Sequence, residues 1–135
     1  MSGPFHGVTL SASLSVNDIE KSLAWYRDLL GFTIHQKHER NGRVMAVSLR
    51  AGDDVRILIT QDDGAKGSDR VKGEGFSLMI TTDQSIDDLA ASVVEGGGTL
   101  DLPPTDTPMG TRIFRVRDPD GFKFTISSGF PTTAR

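Results

Sequence analysis

Histidines, cysteines and clustered carboxylates are the side chains with which a small protein holds a metal or activates a nucleophile. This chain has few of them. Its three histidines are His6, His35 and His38, and it has no cysteine. Thiolate zinc sites, iron–sulfur clusters, disulfide staples and cysteine nucleophiles are thereby excluded. His35 and His38 stand three apart on a stretch that reads as a strand, where a period of two sends them to opposite faces and prevents joint chelation. His35 is expected on the face of Thr33 and Lys37. Asp118-Pro119-Asp120-Gly121 resembles the opening of a calcium loop without its later ligands. The acidic pairs Asp53–Asp54, Asp62–Asp63 and Asp87–Asp88 fall in turns or on a helix's first turn, where solubility and capping account for them. No Gly-x-Ser-x-Gly elbow is present. The remaining chemistry is cationic: Arg56, Arg115 and Lys123 either clamp an anion or carbonyl, or extend from a sheet edge into solvent.

The elements that position these groups have plain patterns. Residues 8–16 alternate without a break, with Val8, Leu10, Ala12, Leu14 and Val16 on one face and Thr9, Ser11, Ser13 and Ser15 on the other. This is a strand with one apolar face. Asn17 is placed to cap a helix, with Glu20 in capping-box position, and Ile19, Leu23, Tyr26 and Leu30 form a stripe that Gly31 ends. Tyr26 is expected in the core; Trp25, off the stripe, covers a sheet edge, serves a subunit interface or stacks on a ligand. Strands are expected at about 32–38, 43–50 and 55–60, and the polar, glycine-rich stretch 61–74 reads as a linker.

The pattern then starts again. A strand at 76–82 and a helix at about 85–95 lead to Gly96-Gly97-Gly98, a helix stop, because it follows a helix instead of opening one. Strands at about 99–102, 111–117 and 122–127 follow, the last two joined by Asp118–Gly121, which suits a type I turn. The proline-rich segment between Leu102 and Gly110 is either a cavity rim or a plain connection. Phe5, Met109 and Phe130 either close over an aromatic ligand or are loose ends.

Ser11 matches Ser77 and Leu14 matches Ile80 at an offset of 66, and Val55–Thr60 matches Phe122–Ser127 at 67. The chain is an internal duplication. The expected fold class is α+β: two tandem βαβββ repeats forming a cupped mixed sheet with helices outside. One domain spans 1–135, with repeat one at about 8–60, the linker at 61–74, repeat two at about 75–127 and a tail at 128–135. If each sheet turns its apolar face to its helix, the other faces line a cavity. Its candidate ligand-binding residues are Ser11, Ser13, His35, Ser48, Arg56, Leu58, Ser77, Met79, Thr111, Ile113, Arg115, Lys123 and Thr125.

Two segments, Leu14-Ser-Val-Asn-Asp-Ile-Glu-Lys-Ser-Leu-Ala-Trp-Tyr-Arg-Asp-Leu-Leu-Gly-Phe32 and Arg117-Asp-Pro-Asp-Gly-Phe-Lys-Phe-Thr-Ile126, resemble the vicinal oxygen chelate superfamily of glyoxalase I, extradiol dioxygenases and bleomycin-resistance proteins. The resemblance covers about residues 8 to 127. In metal-dependent members it implies ligands at four positions, which here are Ser11, Leu58, Ser77 and Thr125. None supplies an imidazole or carboxylate donor. The resemblance therefore implies metal-free binding of a small organic molecule in the manner of bleomycin-resistance proteins, with no cofactor, no catalytic residue and no metal ligand, in a homodimer. The alternative is a glyoxalase- or dioxygenase-type enzyme with a site elsewhere or without metal.

Composition agrees with a globular domain. The 135 residues are 36% hydrophobic and 24% charged, with a net charge of −3, which disfavours nucleic acid as a partner. No apolar run reaches the roughly 18 residues of a membrane span and the first residues lack a signal-peptide pattern, so a cytoplasmic protein without membrane partners is expected.

Overall fold

The computed structural model describes residues 3–67 and 69–129. Phe130 and most of the expected tail lie outside the described residues. The elements run β1 (Leu10–Val16), α1 (Ile19–Ala24, continued by a π-helical turn over Trp25–Leu29), β2 (Thr33–Arg40), β3 (Arg43–Ala51), β4 (Val55–Gln61), β5 (Leu78–Thr82), α2 (Ile86–Glu95), β6 (Leu100–Asp106), β7 (Arg112–Arg117) and β8 (Lys123–Ser128). They form two four-stranded sheets with orders β1-β4-β3-β2 and β5-β8-β7-β6, the same topology twice. In each the first strand runs parallel to the last, and the other pairs are antiparallel. The fold is that of two βαβββ repeats, with the helices outside the sheets on their apolar faces.

Alternation decides what each face does. Leu14 and Val16 on β1 are buried while the intervening Ser15 is exposed, and Val47, Leu49, Ile57 and Ile59 continue the apolar layer across β3 and β4. Phe114, Val116, Phe124 and Ile126 do the same in sheet two, and all join one core with Leu23, Tyr26 and Val93 from the helices.

Two local expectations are corrected, and a third segment is better ordered than its composition suggests. The cap of α1 is Asp18, not Asn17: its carboxylate accepts the Lys21 amide at 3.2 Å. Asn17 instead gives its amide to Asp120 at 2.9 Å. The proline-rich segment is strand: β6 runs through Pro103 and Pro104, which the outer edge of a sheet tolerates because an edge strand needs only half its amides. The linker is not loose. Asp62 accepts from Lys72 at 2.8 Å, Arg70 at 2.6 Å and the Gly64 amide at 2.8 Å, and Lys72 also reaches the Asn17 side chain at 2.9 Å. These partners hold the Asp62 carboxyl well below the usual carboxylate range.

The repeats meet through helix α1. Tyr26 is fully buried, with ring centroids 5.8 Å from both Phe32 and Phe124, and Trp25 lies 6.3 Å from Phe124. The Tyr26 hydroxyl donates to Asp118 Oδ2 at 2.7 Å, while Asp118 Oδ1 accepts the Asp120 and Phe122 amides at 2.9 Å each. Burial and the neighbouring carboxylate push the Tyr26 phenol far up, so it remains a donor. Leu29 rests on the tri-glycine: a Cβ on Gly98 would lie 2.6 Å from Leu29 Cδ2. Those glycines end α2, with Gly97 at φ +94, and also seat the other repeat.

Gly73 has a similar constraint, for it sits at φ +80 and a Cβ there would lie 2.5 Å from the Gly121 carbonyl oxygen. Gly73→Ala is expected to destabilise by about 2–4 kcal/mol, combining left-handed strain with a backbone clash. Gly75→Ala, at φ +83 with open space, carries the strain alone, about 1–2 kcal/mol; urea unfolding of both variants checks the order.

Burial raises the Asp118 carboxyl pKa against the lowering effect of its hydrogen bonds. The folded state therefore holds this proton more tightly than the unfolded chain does, and stability falls as pH rises from the ordinary carboxylate range through the raised folded value. Asp118→Asn removes that dependence while keeping an acceptor for the two amides. Wild type is expected to lose stability relative to Asp118→Asn across that window; parallel or opposite urea-unfolding trends would contradict the assignment.

Candidate functional site

The polar groups collect on the sheet faces turned away from the helices. In sheet one, Ser11 pairs with Arg56 and Ser13 with Leu58, while Ser48 also opposes Leu58 and Arg50 opposes Arg56. The buried Val47, Leu49, Ile57 and Ile59 alternate with these residues, which places hydroxyls and guanidiniums together on the opposite side.

Sheet two repeats the arrangement. Met79 and Arg115 flank Thr125 from either side, Ile113 opposes Ser127, and Arg117 opposes Lys123. Thr125 and Ile113 are buried, whereas Met79 is 69% exposed. Arg115 Nε donates to the Thr125 hydroxyl at 3.4 Å. Arg117 pairs with Asp101 at 2.6 Å, and Lys123 lies 3.8 Å from Glu74.

Two open cavities touch these faces. One of about 590 Å³ lies on sheet two, lined by Ser77, Met79, Arg115, Lys123 and Thr125 and bordered by Phe76. The second, about 290 Å³, lies where the start of β1 approaches β5; it joins Ser11 and Arg56 of repeat one to Met79 of repeat two. A third cleft, about 580 Å³, opens on the helix side between Leu29, Leu30, Ile80 and Phe114; it is bordered by Asp28 and Asp83 and has no cation.

Two expected residues are placed otherwise. A β-bulge interrupts β2 at His35, because Ile34 pairs with Leu49 and the next paired residue, Gln36, with Ser48. Thr33 therefore opposes Arg50, but Lys37 opposes the core residue Val47, and His38 opposes Ala46. The expected grouping of His35 with Thr33 and Lys37 does not form; the histidine in register with the polar face is His38. Thr111 precedes β7, and its hydroxyl lies 2.7 Å from that of Thr107, closing the turn from β6. Arg50 is the residue that sequence reasoning missed. Its signal was present: it shares parity with Ser48 and stands 67 residues before Arg117.

Ser11, Leu58, Ser77 and Thr125, where the family resemblance implies metal ligands, offer neutral hydroxyls and one alkyl group. Among the described residues no three of His, Asp or Glu come together. This donor set does not fit a divalent catalytic ion. Among the described residues, no helix is long and apolar enough to cross a membrane.

Comparison with known proteins places these features in a group. Residues 8–126 match the family model of the Glyoxalase/Bleomycin resistance protein/Dioxygenase superfamily. A protein of Synechocystis sp. named a probable lactoylglutathione lyase is 25% identical over 120 residues, covering 87% of this chain and 92% of that protein. The crystal structure of a superfamily member from Sphaerobacter thermophilus is 26% identical with a TM-score of 0.72, covering 92% of this chain and 98% of that one. TioX from Micromonospora sp. ML1 shares the fold, with a TM-score of 0.74 at 17% identity over 90% of this chain and 98% of that one.

Titration calorimetry with Zn²⁺, Ni²⁺ and Mn²⁺ is expected to detect no one-to-one site in this chain. A stoichiometric site of micromolar affinity would refute the conclusion drawn from the donor set.

Proposed function

We propose that this chain, which belongs to the Glyoxalase/Bleomycin resistance protein/Dioxygenase superfamily, binds and sequesters a small organic molecule without metal, in the cytoplasm, as a homodimer. The observation that carries the reading is the chemistry at the four positions where the superfamily resemblance implies ligands. Two serines, a threonine and a leucine have no metal affinity, yet they sit among groups suited to holding a partly apolar ligand. Met79, Leu58 and Ile113 supply apolar surface; Ser11, Ser13, Ser48 and Thr125 supply hydroxyls; Arg56, Arg115 and Lys123 supply charge. Sequestration needs only affinity, so no proton-transfer group has to survive.

The second copy is argued from exposed apolar side chains: Leu10 and Met79, which line the seam cavity, and Val8, which precedes β1. Leu10 is 87% exposed, Val8 89% and Met79 69%, an unusual concentration for a surface that stays wet. A second chain laid over β1 and β5 covers them and deepens the cavity.

The Synechocystis relative's name favours a second reading, an enzyme of the glyoxalase kind. In this chain such an enzyme would have to draw its metal donors from other positions or work without metal.

Native mass spectrometry of protein purified without chelators, followed by thermal-shift screening of small organic molecules, separates the readings. The expected result is a dimer carrying an organic adduct or stabilised by several compounds. Ser11→Trp, a substitution at an exposed position on the seam, is expected to weaken binding tenfold or more while leaving the unliganded melting temperature unchanged. Turnover of a hemithioacetal by protein holding a stoichiometric divalent ion would replace sequestration by catalysis.

A further inference from the structure

The duplication permits a direct internal comparison of charge. At the same place in each repeat, two cations face each other across neighbouring antiparallel strands: Arg50 opposes Arg56 in sheet one, and Arg117 opposes Lys123 in sheet two. Like charges directly opposite on one sheet face repel, so such a pair needs a counter-charge. Sheet two supplies it from its own chain, through Asp101 on Arg117 and Glu74 near Lys123. In sheet one, among the described residues, neither arginine has a carboxylate within ion-pair distance, although Asp53 and Asp54 sit in the adjoining turn. Arg56 spends its Nε–H on the Asp53 backbone carbonyl at 3.2 Å. Arg50 Nε is buried and without any hydrogen-bond partner.

A guanidinium N–H shut away from water and left unbonded is costly, and Arg cannot escape by losing its proton. We infer that the Arg50–Arg56 pair is an oxyanion site, one that takes the carboxylate or phosphoryl group of the bound molecule. The planar forks of two arginines suit the paired oxygens of either group. Ser11, opposite Arg56 on β1, presents an exposed hydroxyl beside them. Arg56 and Ser11 also line the seam cavity, so the anion-binding end opens toward the apolar surface of Leu10 and Met79. The ligand is thus an amphipathic anion: a charged head on the two arginines and an apolar body along the seam. As a statement about the ligand this rests on the binding role proposed above; as a statement about the two arginines it is tested without the ligand.

The experiment titrates the chain with inorganic phosphate and, separately, succinate, at constant ionic strength set with chloride. It follows the arginine Nε–H resonances by NMR. Saturable shifts of the Arg50 and Arg56 signals are expected. Saturation by phosphate alone assigns a phosphoryl head, by succinate alone a carboxylate head, and by both a general oxyanion site. Arg50→Gln and Arg56→Gln are each expected to weaken binding tenfold or more, and Arg117→Gln to leave it unchanged. Arg50→Met keeps the partly buried stem and replaces Arg50→Gln if that variant does not fold. Neither anion acting beyond chloride, or Arg117→Gln weakening binding as much as Arg50→Gln, would overturn the proposal. Either failure leaves the adducts and melting shifts of an uncharged organic ligand intact, so the two ideas fall separately.

Discussion

A phenol and a carboxylate join the halves of this molecule. Asp118 is a buried acid, tolerable only because each of its oxygens is bonded: one to the Tyr26 hydroxyl and the other to two amides of its own turn. The bond to Tyr26 spans 92 residues, and it ties the end of α1 to the turn that opens β8. Asp120 extends the same clasp, accepting the Asn17 amide and the Ser22 hydroxyl. Lys123 and Thr125 follow that turn directly, while Ser11 lies on the strand that leads into α1. The relative placing of the two polar faces therefore depends on this one buried junction.

Around the clasp, the packing is made possible by residues that are small where the repeats touch. The tri-glycine after α2 admits Leu29, and Gly73 lets the linker lie against the Gly121 backbone. The first contact joins repeat one to repeat two and the second joins the linker to repeat two, so these glycines serve the assembly as well as their own turns. The linker's own ion pairs then fix the path from β4 to β5, with Lys72 reaching back to the residue that follows β1. Two copies of one unit have thus acquired joining contacts that break their equivalence, and the unequal treatment of their cation pairs belongs to the same divergence.

Reading the chain alone recovered what local periodicity encodes. The alternation at 12–16 and 55–60 was visible because one face of each strand is turned to the core, whereas Val8 and Leu10 continue the pattern at exposed positions; the offset of 66 to 67 residues revealed the duplication. Helix α2 was equally plain, with Ser85 accepting the Asp88 amide as its cap. Errors fell where one local signal overrode another. Pro103 and Pro104 spoke for a loop, yet an edge strand leaves their missing amides without consequence. The bulge at His35 shifted the parity of Gln36, Lys37 and His38 before a second irregularity at Glu39 restored it, which no alternation rule anticipates. Asn17 and Asp18 are both good caps; Asp18 takes the role while the Asn17 amide and side chain are bonded to Asp120 and Lys72, far along the chain. Arg50 was overlooked for a different reason: its interest lies in a partner it lacks, and that is visible only once the register sets it against Arg56.

The strand order carries a consequence for how the chain comes into being. β1 lies at the edge of its sheet, with β4 as its sole neighbour among the described residues, and Leu10 pairs with Val55, 45 residues later. On the ribosome, the strand that carries Ser11 emerges ahead of the rest of repeat one and must wait for β4 until nearly the whole of that repeat has followed it. Such late, long-range parallel closure is slow, because the intervening chain must be ordered before any ladder bond rewards it. Repeat two imposes a second wait of the same kind, β5 for β8, so the molecule is completed in two separate closures.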